Sequence, residues 1–138
     1  MIAGIGVDVV DIARFEQQLE RTPKLLGRLF TPAEQQLALR SLAARYAAKE
    51  ALIKALGDSH DVFWTEIEVV PDGERKPWFE LSGATAKTVA NRGITSLHLS
   101  LSHDAGIATA FVVAERAEQP SAEQPRTEQS SATNGALE

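Results

Sequence analysis

Hydrophobic residues alternate with polar ones at a period of two in several short segments, and this pattern predicts strands. ITSLHLSLSH alternates cleanly and places Leu97, Leu99 and Leu101 on one face. The predicted strands are IAGIGVDVVD (2–11), TEIEVV (65–70), PWFEL (77–81), ITSLHLSLSH (94–103) and IATAFVVAE (107–115). PDGERK joins the second strand to the third and DAG joins the fourth to the fifth, so each pair is predicted to be a hairpin.

Hydrophobic residues at helical spacing predict three helical regions between these strands. The first is DIARFEQQLERTPKLLGRLF (11–30), which is expected to break around Thr22 and Pro23. The last is SGATAKTVANRG, a short helix with Ser82 as its cap and Gly93 as its stop.

The central helix has a strong start signal in TPAEQ. Thr31 is predicted as the N-cap, with Pro32 in the first turn and Glu34 as the capping-box partner. The helix, or two helices in succession, is predicted to run to about Leu56 and to stop at Gly57.

These elements predict one α+β domain over residues 1–117, in which an antiparallel or mixed sheet packs against helices. Residues 118–138 are rich in Glu, Gln, Pro, Ser and Thr. Such a composition cannot bury a core, so we expect a disordered, low-complexity tail.

Composition narrows the class of protein. The 138 residues are 43% hydrophobic, which is enough for one compact domain with a core. Cysteine is absent, which excludes disulfides, thiolate metal sites and a cysteine nucleophile. No apolar run approaches the length that spans a bilayer, and no basic-then-apolar signal peptide is present. We therefore expect a cytoplasmic protein without a membrane partner.

The net charge of −5 is unevenly distributed. Residues 14–54 hold eight Lys or Arg against four Glu, whereas residues 55–117 hold nine acids against five bases. This basic segment favours an anionic partner bound locally over general nucleic-acid binding. Solvated helix faces would give the same pattern, so charge alone leaves that alternative open.

Glu50 lies in the middle of an apolar helical stripe, where a carboxylate is unexpected. At about 100° per residue, the stripe is formed by Leu39, Leu42, Ala43, Tyr46 and Ile53. An i,i+4 pair with Lys54 contributes about 0.2–0.5 kcal/mol, whereas burying a carboxylate costs several kcal/mol. A second partner is therefore predicted, and a divalent cation shared with another carboxylate would supply it.

Asp8 is the best candidate for that second carboxylate. It shares one strand face with Gly4 and Gly6, which leave room for another backbone or a ligand. Magnesium suits one or two carboxylates together with phosphate oxygens and water. Considered alone, Asp8 could instead end the strand at a solvent-facing turn or cap the next helix.

Three cations, Arg45, Lys49 and Lys54, lie within about two helical turns of Glu50. Together with a metal they would suit a pyrophosphate, whose charge must be neutralised during transfer, although each could also be a solvated helix residue. His103 ends its strand before the DAG turn, which suits either access to a site or a hydrogen-bonded core position. These residues favour a magnesium-assisted phosphoryl-group enzyme.

Three motifs together resemble the small 4′-phosphopantetheinyl transferases, the family of the holo-[acyl-carrier-protein] synthases. They are GIGVDVVDIARF near the start, RYAAKEALIKALG in the middle and LSLSH near the end. The resemblance covers residues 1 to about 115. It implies the transferase fold, a homotrimer with active sites between subunits, and Mg²⁺ as the cofactor. The family moves the phosphopantetheine arm of coenzyme A, the co-substrate, to a serine of apo acyl carrier protein.

The resemblance also implies roles for residues by position. Asp8 and Glu50 match the magnesium ligands, and Glu50 would accept the serine proton, either directly or through a metal-bound water. Lys54 is implied as the second catalytic residue, in contact with phosphate near the reacting centre. The residues implied to bind coenzyme A are Arg45, Lys49, Lys54 and His103.

Arg14 matches a first-helix arginine that meets the acidic carrier protein in the family. Arg21, Lys24 and Arg28 would extend this basic surface, on the ground of charge alone. Two other interpretations remain open: a broader-range phosphopantetheinyl transferase, which its usual double length disfavours, and a non-catalytic carrier-protein or nucleotide-binding module. The second would leave Glu50 unexplained.

Overall fold

The computed structural model describes residues 1–71 and 75–118. Strands and α-helices follow one another as β1 Ile2–Asp11, α1 Ile12–Arg21, α2 Leu25–Leu29, α3 Leu39–Leu56, β2 Ile67–Pro71, β3 Pro77–Leu81, α4 Gly83–Asn91, β4 Ile94–Asp104 and β5 Ile107–Arg116. Single 3₁₀ turns, Glu34–Gln36 and Trp64–Glu66, precede α3 and β2. The predicted α+β class is confirmed, whereas the predicted tail, apart from Glu118, lies outside the described residues.

Two antiparallel sheets organise the chain. The larger has the strand order β1-β5-β4, and β2 and β3 form the smaller one. Both predicted hairpins are confirmed, since β4 pairs with β5 and β2 pairs with β3. The strand β5 is central because it pairs with β1 on its other side.

Helix α3 packs on one face of the three-stranded sheet, and small residues allow it to come close. Gly6 lies beside Val112, and Val112 beside Leu99, so one row of the face combines glycine with branched side chains. A Cβ atom at Gly6 would lie 1.9 Å from the carbonyl oxygen of Ala51, and one at Gly4 would lie 2.0 Å from that of Ala55. The room that the two glycines leave is therefore filled by the backbone of α3, which brings the helix up to Asp8.

Replacing Gly6 by alanine is expected to lower the free energy of unfolding by about 1–3 kcal/mol, because the added methyl group would force strand and helix apart. Gly27 offers a matched control in α2, since a Cβ atom there meets nothing within 4 Å. Gly27→Ala is expected to be neutral or stabilising by up to about 1 kcal/mol. Urea unfolding of both variants checks the prediction, and equal stabilities would contradict it.

The ends of the helices follow the predicted signals in part. Thr31 and Glu34 form the capping box, with Glu34 N to Thr31 Oγ1 at 3.3 Å and Thr31 N to Glu34 Oε1 at 3.0 Å. The box opens only a 3₁₀ turn, and α3 begins separately at Leu39 after an extended Ala38. Gly57 stops α3 with φ +96°.

The start of α4 differs from the prediction. Ser82 occupies the N-cap position but makes no side-chain capping bond. Glu66 takes this role from the preceding 3₁₀ turn, because its carboxylate accepts hydrogen bonds from the backbone and hydroxyl of Thr85 at 2.8 and 2.7 Å. These bonds lower the pKa of Glu66.

The opposite face of the large sheet is apolar and exposed along β1 and β5. Ile5, Val7 and Val9 of β1 are 60%, 52% and 62% exposed, and Phe111 of β5 is 45% exposed. Phe111 pairs with Val7, so these side chains form one continuous patch, which we call the outer face. Among the described residues, no helix has both the length and the apolar character needed to cross a membrane.

Candidate active site

A cavity of about 420 Å³ lies between the end of β1, α1 and α3, and we call it the carboxylate cavity. The residues that could act chemically in it are Asp8, Asp11, Arg14, Tyr46, Glu50 and Lys54. Asp8 and Glu50, which are far apart in sequence, therefore open onto one space. Their convergence follows from the close packing of α3 on β1.

Lys54 pairs with Asp8 rather than with Glu50. Its Nζ lies 3.0 Å from Asp8 Oδ1 and 2.9 Å from the carbonyl oxygen of Val7. The lysine side chain is 53% exposed, so solvent screens the pair and its contribution to stability is at most about 1 kcal/mol. A cation held this weakly can leave Asp8 when a more strongly charged group enters the cavity.

Glu50 has a partner that the sequence did not reveal. The Tyr46 hydroxyl lies one helical turn earlier, lines the same cavity and interacts with the Glu50 carboxylate. Burial, followed by the charge and hydrogen bond of Glu50, raises the pKa of Tyr46 to about 12. The Tyr46 ring stacks on Phe15 and Trp64 at centroid distances of 5.1 and 5.7 Å. The stacking holds the Tyr46 ring beside Glu50.

The donor set of this cavity fits a magnesium ion. Asp8 and Glu50 provide two carboxylates. Within residues 1–71 and 75–118, His, Asp and Glu side chains form no group of three or more that could hold a metal ion. Mg²⁺ commonly takes one or two carboxylates and completes its octahedron with phosphate oxygens and water. The chemistry of the cavity therefore suits an ion that arrives with a phosphate-containing ligand.

Lys49 is buried and does not line the carboxylate cavity, which disagrees with its predicted contact with coenzyme A. Its side chain is 0% exposed and forms an ion pair with the buried Glu34. Its Nζ also donates to the carbonyl oxygens of Leu29 at 2.6 Å and Trp64 at 3.1 Å. Burial lowers the pKa of Lys49, and the hydrogen bond from Lys49 to Glu34 opposes this shift. The ammonium group has no access to a ligand and instead ties α3 to the preceding loops.

Arg45 and His103 line a second cavity of about 330 Å³, which we call the arginine cavity. Arg45 lies on α3 and His103 near the end of β4, and Arg40 and Arg75 complete the cationic lining. His103 is exposed, so the core alternative for this residue is wrong. Of the three cations expected to line the site of Glu50, Lys54 shares its cavity, whereas Arg45 lines the second cavity and Lys49 lines neither.

The four basic residues expected to meet a carrier protein lie on α1, just before α2 and on α2. Arg14 and Arg21 lie on α1, Lys24 lies just before α2, and Arg28 lies in the last turn of α2. All four are exposed, and Arg14 also lines the carboxylate cavity. Of the four, Arg14 is therefore the residue that links this predicted contact to the cavity.

The model of the 4′-phosphopantetheinyl transferase superfamily matches residues 4–112, and the chain belongs to this family. The match contains α3 and β4 entire and β1 from Gly4 onward, and with them every residue of both cavities named above.

Within this family, the chain is similar to proteins named holo-[acyl-carrier-protein] synthase. The chain is 62% identical over 115 residues to the holo-[acyl-carrier-protein] synthase of Clavibacter sepedonicus, covering 83% of this chain and 97% of the relative. The crystal structure of the synthase of that name from Neisseria meningitidis matches with a TM-score of 0.79 at 35% identity, covering 84% and 100% of the two chains. That from Helicobacter pylori in complex with coenzyme A matches with a TM-score of 0.72 at 34% identity, covering 80% and 99%.

Proposed function

We propose that this protein transfers the 4′-phosphopantetheine group of coenzyme A to a serine of an apo acyl carrier protein and releases adenosine 3′,5′-bisphosphate. The observation that carries the proposal is the convergence of Asp8, Glu50 and Lys54 on one cavity whose rim bears Arg14. Family membership and the relative solved with coenzyme A support the same substrate. We place the reaction in the cytoplasm, where we expect both coenzyme A and the carrier protein.

Glu50 is the base in this proposal. The serine oxygen attacks the β-phosphorus of coenzyme A and forms a new P–O bond. The bond between that phosphorus and the bridging oxygen breaks, and the bridging oxygen leaves with adenosine 3′,5′-bisphosphate. Glu50 accepts the serine proton, held in place by the Tyr46 hydroxyl. Lys54 moves from Asp8 to the pyrophosphate and stabilises its developing charge. Mg²⁺, when bound to Asp8 and Glu50, would neutralise pyrophosphate charge.

We further propose that the active site forms between subunits of a homotrimer. In one chain the two cavities have no lining residue in common, so the carboxylates and the arginines are presented separately. The outer face exposes Ile5, Val7, Val9 and Phe111 along two neighbouring strands. A patch of this kind favours association, which would bring the carboxylate cavity of one chain to the arginine cavity of the next.

The activity is tested by incubating the protein with apo acyl carrier protein, coenzyme A and Mg²⁺ and following the carrier by mass spectrometry. We expect one phosphopantetheine adduct, lost when the acceptor serine is replaced by alanine. Tight binding of the carrier without any adduct would favour the non-catalytic binding module. Omission of Mg²⁺, with chelator present, is expected to abolish the adduct, and Mn²⁺ serves as a second hard divalent ion.

The trimer is tested by light scattering. We expect a mass of three times 14.9 kDa. Val7→Asp, which places a charge on the outer face, is expected to give monomers and to remove activity together with assembly. Ser59→Asp, in an exposed loop, is the matched control and is expected to remain trimeric. A monomeric wild-type protein with full activity would contradict the shared site.

A further inference from the structure

Lys54 supplies the carboxylate cavity with a cation of the chain's own. Its ammonium group lies 3.0 Å from Asp8 Oδ1 and 2.9 Å from the carbonyl oxygen of Val7, so two acceptors of β1 hold it in place. The Asp8 side chain is only 16% exposed, whereas that of Lys54 is 53% exposed. The carboxylate is thus the enclosed partner of this pair, and the lysine is the partner that can leave.

The same carboxylate is the one that fits a metal ion. A divalent cation at Asp8 must either replace the ammonium group at Oδ1 or bind the second oxygen beside a like charge. Two positive charges a few ångströms apart repel each other, even where solvent screens them. Either arrangement lowers the affinity of the carboxylates for a metal. Lys54 is therefore a competitor of the metal as well as a candidate partner of the pyrophosphate.

The balance of charges in the cavity leads to the same conclusion. Its lining includes three carboxylates, those of Asp8, Asp11 and Glu50, and two cations, Arg14 and Lys54. The net charge of these groups is a single negative one, which attracts a divalent cation only weakly and also repels a pyrophosphate that arrives alone. A metal and a pyrophosphate that arrive together neutralise each other. The cavity therefore suits the pair better than either member.

Lys54 can change partners without a change of fold. It lies in the last turn of α3, and its flexible side chain reaches β1 from there. A pyrophosphate presents several anionic oxygens to the ammonium group, whereas Asp8 presents one oxygen of a single carboxylate. We expect the lysine to exchange Asp8 for the pyrophosphate when that group enters the cavity. The exchange leaves Asp8 free to bind a metal.

We propose that Lys54 makes metal binding depend on coenzyme A, because it neutralises Asp8 until a pyrophosphate enters the cavity and then releases the carboxylate as a metal ligand. This inference rests on the proposed function, which brings a pyrophosphate to this cavity. The dependence is reciprocal: the factor by which coenzyme A raises the affinity for the metal equals the factor by which the metal raises the affinity for coenzyme A. Lys54 thus selects the metal and coenzyme A as a pair.

The test titrates Mn²⁺ into the full chain and measures free Mn²⁺ by electron paramagnetic resonance, in the absence of a carrier protein. Lys54→Met is expected to raise the affinity of the protein alone for Mn²⁺ about tenfold. It is also expected to reduce, about tenfold or more, the factor by which coenzyme A raises that affinity. Lys87→Met removes the same charge from an exposed position of α4 and is expected to change neither value by more than about twofold.

A double variant shows whether the gain in metal affinity comes through Asp8. Asp8→Asn with Lys54→Met is expected to bind Mn²⁺ no more tightly than Asp8→Asn alone, because the lysine then has no carboxylate to release. Unchanged Mn²⁺ affinity in Lys54→Met, at a wild-type urea midpoint, would overturn the inference. An equal gain in the double variant would overturn it as well, since the effect would then come from overall charge.

The transfer assay keeps this inference separate from the proposed function. Transfer by the wild-type protein, with no gain in Mn²⁺ affinity in Lys54→Met, would refute the role of Lys54 and leave the proposed function standing. A gain in the variant, with no transfer by the wild-type protein to any carrier, would refute the proposed function and leave the competition for Asp8 established.

Discussion

Replacing Glu50 by glutamine is expected to lower kcat for phosphopantetheine transfer by about 10²–10⁴-fold. The amide cannot accept the serine proton and is a poorer ligand for a divalent cation, but it has the size of the carboxylate. It can also accept the hydrogen bond from the Tyr46 hydroxyl, so the aromatic stack around that ring should be retained. The variant therefore separates chemistry from folding. Initial rates of carrier modification measure the loss.

Glu16→Gln is the matched control for this experiment. Glu16 is an exposed glutamate of α1 that lines neither cavity, so its replacement makes the same change in charge and shape away from the site. We expect the control to keep the wild-type rate and both variants to unfold at the wild-type urea midpoint. A Glu50→Gln variant with an intact rate would show that another group takes the proton and that the metal assignment is wrong.

Replacing Lys49 by methionine is expected to lower the free energy of unfolding by about 3–5 kcal/mol, because it strands a buried charge. The Glu34 side chain is only 2% exposed, so its carboxylate would be left buried without its ion-pair partner. The carbonyl oxygens of Leu29 and Trp64 would lose a shared donor as well. Methionine has a similar volume, so the change isolates the charge. Urea denaturation measures the difference, and Lys87→Met on the surface of α4 is expected to cost less than about 0.5 kcal/mol.

The double variant Glu34→Leu with Lys49→Met distinguishes an ion pair from general packing. If the cost of Lys49→Met comes from the unpaired carboxylate, removing both charges should be less destabilising than the sum of the two single changes. Additive losses would contradict the pairing. The folded fraction of Lys49→Met is expected to keep its KM for coenzyme A, since the buried ammonium does not reach either cavity. A raised KM would restore the coenzyme A contact that the sequence implied for Lys49.

The sequence predicted the strands, the hairpins and the exceptional position of Glu50, because these features depend on local periodicity. The apolar stripe does become buried around Leu42 and Ala43 and opens at Glu50 onto a cavity. The close approach of another backbone beside Asp8 could be predicted as well, because Gly4 and Gly6 share its strand face.

The fates of the three cations on α3 could not be predicted in the same way. Their spacing along the helix is similar, but their surroundings come from distant segments. Lys49 meets Glu34 of the preceding 3₁₀ turn, whereas Lys54 meets Asp8 of β1. Arg45 is turned about 140° from Glu50 around the helix axis and opens onto a different cavity. Only the tertiary arrangement distinguishes the buried Lys49 from the half-buried Arg45 and the exposed Lys54.

The contact of Gly4 and Gly6 with the backbone of α3 also has a consequence for motion. Strand and helix touch through main-chain atoms, without intervening side chains whose rotamers could absorb a displacement. We therefore expect the backbones at Asp8 and Glu50 to move as parts of one body. The adjustments of a catalytic cycle fall to the exposed side chain of Lys54 and to the edges of the site. In hydrogen exchange, the amides around Ala51 and Ala55 would be among the slowest to open, with or without coenzyme A.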